Sequence, residues 1–168
     1  LTVSEFEKTQ KDKSALVLDV RKPEEFAEGH VPNSMYIGLD GQFAPWVGTL
    51  ILDFKTPILI VTPEGREEET IMRLARVGYD NCVGYLQGGF ASWLAAGKKA
   101  DKIDSIVADN FFEKYSTGSP TLDLRRPGEY EGGHLKNASS KPLDFIYEWM
   151  DSIDRSNPYL IHYTNKYR

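Results

Sequence analysis

Apolar residues in this chain fall into two kinds of pattern. Leu16-Val17-Leu18, Ile58-Leu59-Ile60-Val61, Cys82-Val83-Gly84-Tyr85-Leu86 and Tyr159-Leu160-Ile161-His162 are short, nearly unbroken runs. Such runs predict strands, a short one at Cys82–Leu86 and buried ones of a parallel sheet at the other three. Between them apolar positions recur at helical spacing. Phe43, Trp46 and Leu50 do so in 41–50, Ile71, Leu74, Ala75 and Val77 in the segment opened by Glu67, and Leu143, Ile146, Tyr147 and Met150 in 142–153. Alternating strand and helix signals predict an α/β fold with a parallel central sheet flanked by helices. The longer strand around the first run is expected over 14–20, and a short one over 34–37. Thr2 and Glu5 form a capping-box pattern that starts a helix and turns Phe6 to the core. Pro23 opens a helix that Gly29 ends, residues 90–96 form another, and Asp109 is expected to cap a helix over 111–115.

One stretch occurs twice. LVLDVRKPEEFAEGHVPN begins at Leu16 and TLDLRRPGEYEGGHLKN at Thr121. The differences 123 − 19, 125 − 21, 127 − 23, 129 − 25, 133 − 29, 134 − 30 and 137 − 33 all equal 104. Asp, Arg, Pro, Glu, Gly, His and Asn thus recur in register, which is a domain-sized period. The expected domains are 1–100 and 101–168, joined by the polar linker 98–104. Within the first domain 100 − 66 = 34 residues follow Arg66, and none follow Arg168. The second copy is therefore expected to be truncated after its loop.

Asp19 lies at the carboxyl end of a strand, where open α/β sheets place their sites. Asp19, Arg21, Glu25 and His30 are expected to form one structural polar network, repeated by Asp123, Arg125, Glu129 and His134. The pattern D-V-R-x-P-x-E-F-x-x-G-H over 19–30 resembles the signature of rhodanese-like (sulfurtransferase) domains. Gly88-Gly89 followed by Trp93 is similar to the family's GG-x-x-x-W ending. The resemblance covers essentially the whole chain and implies the rhodanese-like three-layer fold in two tandem copies.

That resemblance also implies where chemistry belongs. Rhodanese-like enzymes carry sulfur as a persulfide on a Cys that begins a six-residue loop ending in Arg. Counting from Pro158 places Tyr163 at the Cys position and Tyr163, Thr164, Asn165, Lys166, Tyr167 and Arg168 in the loop. Counting from Pro57 gives Thr62, Pro63, Glu64, Gly65 and Arg66, one residue shorter, so Val61 or Thr62 holds the position. Neither hydroxyl can carry a persulfide. Both loops read as degenerate, with no catalytic residue, and the chain as a catalytically inactive module for binding or regulation. The alternative is an active sulfurtransferase using Cys82 or a partner's Cys. A phosphatase of this fold fails on the same missing thiol. The run GREEETIMRLARVGYDNCVGYLQGGFASW further resembles the tandem rhodanese part of bacterial metallo-β-lactamase-fold hydrolases. That resemblance implies such a domain as partner in the same polypeptide.

Composition narrows the rest. A net charge of −5 argues against nucleic acid or anionic membrane as partner. No apolar run approaches a membrane span. The single cysteine excludes an internal disulfide and suggests a reducing, cytoplasmic setting. His30, His134 and His162 show no zinc spacing, so no cofactor or metal is expected in this chain, only on an absent N-terminal domain. A weak small-anion site is expected at the second loop, near Lys166 and Arg168.

Overall fold

The computed structural model describes residues 1–163. The chain forms two compact units, Leu1–Asp104 and a second beginning at Ser105.

In the first unit α1 (Val3–Lys13) starts at the Thr2/Glu5 capping box and ends at Ser14, whose backbone is left-handed. That turn shortens the strand expected over 14–20 to β1 (Leu16–Asp19). There follow α2 (Pro23–Glu28), β2 (Met35–Tyr36), α3 (Phe43–Leu50), β3 (Ile58–Val61), α4 (Glu67–Ala75), β4 (Cys82–Tyr85) and α5 (Gly89–Ala95). The strands form one parallel sheet in the order β2-β1-β3-β4. Side chains alternate across it. Val17, Leu59 and Val61 join Phe6, Val31, Leu86 and Trp93 in one cluster. Leu18, Ile58 and Ile60 take the opposite face and are also fully buried. Both faces are therefore covered, which is why these runs lack polar alternation.

Helix α4 buries Thr70 and Leu74, whereas Ile71 and Ala75 of the expected apolar stripe are exposed. Thr70 can face inward because its hydroxyl donates to the Arg66 carbonyl at 2.8 Å. The segment 98–104 is no free linker. Asp101 forms an antiparallel bridge with His30, Ile103 N donates to the Ala27 carbonyl, and the Lys99 carbonyl accepts from Trp93 Nε1.

The second unit contains α6 (Ala108–Ser116), β5 (Thr121–Asp123), α7 (Pro127–Glu131), β6 (Ala138–Ser140), α8 (Ile146–Trp149) and β7 (Leu160–His162). Among the described residues its sheet is parallel, in the order β6-β5-β7. Helix α6 is capped by Val107, with Asp109 in its first turn rather than at the cap. The single helix expected over 142–153 is broken. Four residues of α8 are flanked by 3₁₀ turns at Leu143–Phe145 and Met150–Ser152. The Pro142 carbonyl accepts from Phe145 N and from Trp149 Nε1 (2.9 Å), so it is taken before an α-helical bond can form. No helix among the described residues is long and apolar enough to cross a membrane.

Candidate functional site

The carboxyl ends of β1, β3 and β4 point to one side, and their loops frame a cleft of about 830 Å³. Its walls include Arg21 after β1, Thr62 to Gly65 after β3, and Gln87 to Phe90 after β4. Gly88 and Gly89 both have positive φ, 75° and 59°. A Cβ on Gly89 would stand 3.4 Å from the Thr62 carbonyl. The glycine pair is thus the wall that lets α5 begin directly beside Thr62. The GG motif was the available signal, but it reads in sequence only as the end of the unit.

Asp19 is fully buried at the end of β1. Arg21 grips it: Nε donates to Oδ1 and Oδ2 (3.0 and 3.1 Å) and Nη2 to Oδ2 (2.7 Å). Nη2 also donates to the Gly29 carbonyl at 2.8 Å, and the guanidinium lies 4.4 Å from the Phe90 ring centre. Burial pushes the Asp19 carboxyl up, with Arg21 pulling against it. The other two residues of the expected network bond elsewhere. Glu25 accepts from Lys22 N at 3.0 Å and caps α2, and His30 Nδ1 donates to the Phe26 carbonyl at 2.8 Å while stacking on that ring. Both are local to α2, so the strand is tied to the helix through Arg21 and Gly29.

The second unit repeats this geometry. Arg125 donates to both Asp123 oxygens and to the Gly133 carbonyl. Glu129 accepts from Arg126 N, and His134 Nδ1 donates to Tyr130 while stacking on it. Asp123 has one further partner, His162 Nδ1 at 3.4 Å. Burial pushes the Asp123 carboxyl up, but the bonds from Arg125 and His162 outweigh it and hold it below the usual carboxylate range.

Strand register relates the two loops. Asp19 pairs with Val61, and Asp123 with His162. The offset of 104 has become 162 − 61 = 101. Val61 therefore answers to His162, inside the strand, and Thr62 answers to Tyr163, just beyond it. Thr62 is only 4% exposed. Arg66 caps α4 but faces away from the cleft. Its guanidinium is spent on Asp40 (2.7 and 2.8 Å) and Glu69 (2.8 and 3.0 Å), which it holds below the usual carboxylate range. Thr164, Asn165, Lys166, Tyr167 and Arg168, and the anion site expected there, lie outside the described residues.

Cys82 stands at the far end of the sheet. It pairs with Ile58, the first residue of β3, whereas Thr62 follows the last. Four residues of strand separate the two levels, roughly 13 Å. The thiol is half-buried, burial pushes its pKa up, and its nearest partner is the Gly84 carbonyl at 3.8 Å. Among the described residues no group of His, Cys, Asp and Glu converges to hold a metal.

Solved structures share this fold. The Alr3790 protein from Anabaena sp. matches with a TM-score of 0.52 and 19% identity, over 68% of this chain and 93% of that one. SseA from Escherichia coli, described with the rhodanese fold and catalytic mechanism of 3-mercaptopyruvate sulfotransferases, matches at 0.51 and 12% over 96% and 86%. Thiosulfate sulfurtransferase from Pseudomonas aeruginosa matches at 0.50 and 19% over 99% of this chain and 38% of that one. At these identities the likeness is one of fold. The sequence profile of the rhodanese-like domain adds the decisive match, over residues 2–96, and with that segment forming the sheet and cleft just described, the chain belongs to the rhodanese-like domain family.

Proposed function

We propose that this chain is a rhodanese-like module without sulfurtransferase activity, serving binding or regulation. The observation that carries this reading is the placement of groups along the sheet. The position beside the Gly88-Gly89 wall is Thr62, and Tyr163 follows β7 at the equivalent register. The sole thiol, Cys82, sits at the amino edge of the sheet with a raised pKa. A sulfur carrier needs a thiolate, since the thiol itself is a poor nucleophile. Among the described residues no basic side chain hydrogen-bonds to Thr62, and a hydroxyl cannot hold a persulfide. The loop arginine, which would favour an anionic donor, is neutralised by Asp40 and Glu69.

The test is sulfur transfer from thiosulfate to cyanide. The expected rate equals the buffer blank, and Cys82→Ser leaves it unchanged. A robust rate that Cys82→Ser removes would establish the alternative, an active sulfurtransferase. We further propose that the module belongs to a longer polypeptide with a metallo-β-lactamase-fold hydrolase domain. The support is the wording of residues 65–93, and the upstream reading frame decides it: a cluster of His and Asp ligands ahead of Leu1 is expected.

A further inference from the structure

We draw no further inference here: the strongest candidate, the carboxylates of Glu25, Glu28, Glu64 and Glu67 along the cleft at the carboxyl ends of β1, β3 and β4, belongs to the site already described, and among the described residues no unpartnered buried side chain lines that cleft to show what it would hold.

Discussion

Removing the guanidinium from Arg21 strands a carboxylate. Asp19 is 0% exposed and Arg21 8%, so neither can recover solvation without opening the end of β1. Arg21→Ala deletes both Nε contacts to Asp19, the Nη2 contact, and the bond to the Gly29 carbonyl. Breaking a buried pair from one side costs about 3–5 kcal/mol, and the upper end is expected here because Gly29 also loses its donor. The loss has a pH signature. Burial already raises the Asp19 pKa, and removing the opposing cation raises it further. For an acid whose folded pKa lies above its unfolded value, the penalty is full above the folded pKa. It shrinks as pH falls toward the unfolded value near about 4. The variant should therefore lose less stability at pH 5 than at pH 7.5. Denaturant unfolding in a Trp149→Phe background reads this directly, because the remaining tryptophans, Trp46 and Trp93, both belong to the first unit. The double change Asp19→Asn/Arg21→Met should cost less than Arg21→Ala alone, since no charge is left buried. A loss under about 1 kcal/mol, or one equal at both pH values, would refute the argument that Asp19 is ionised and dependent on Arg21.

Two further outcomes are expected. Leu18→Ala, at a fully buried position of β1, should cost about 2–5 kcal/mol in denaturant unfolding, and a cost under about half a kcal/mol would place the strand at the surface. Asp123 has a lowered pKa, so its contribution is present above the ordinary carboxylate value and is lost as pH falls through the folded pKa. Asp123→Asn should flatten the acid dependence of the second unit below about pH 4, and an unchanged acid melting profile would contradict the pairing with Arg125 and His162.

Much of the fold was legible because each central strand is covered on both faces. Ile58 to Val61 can be nothing but apolar there, and the run stands out without alternation. Asp19 and Arg21 were legible as a pair because they recur together and flank a strand end. Glu25 and His30 misled, since local helix capping explains their recurrence as well as a shared network does. The stripe on α4 misled for another reason. A threonine can occupy a core position when the helix itself accepts its hydroxyl, and periodicity counts only apolar letters. The broken helix around α8 depends on Trp149 reaching back to Pro142, a contact seven residues long that no window of propensity contains. In the site, Thr62 could not be separated from Val61 by counting, because the first loop is short. Only strand register distinguishes them.

The change of offset from 104 to 101 has a consequence for how such a repeat can vary in length. The three residues are lost between Asn137 and Leu160, in the crossover from β6 to β7, and the pairing of Asp123 with its neighbours is kept. Closing a connection a few residues shorter changes its entropy by only tenths of a kcal/mol, on the order expected from the logarithm of loop length. A one-residue deletion inside β5 would instead send Leu122 to the other face and carry Asp123 out of reach of Arg125. Insertions and deletions in descent, or foreign segments grafted at the bench, are therefore absorbed by the crossover and rejected by the strands.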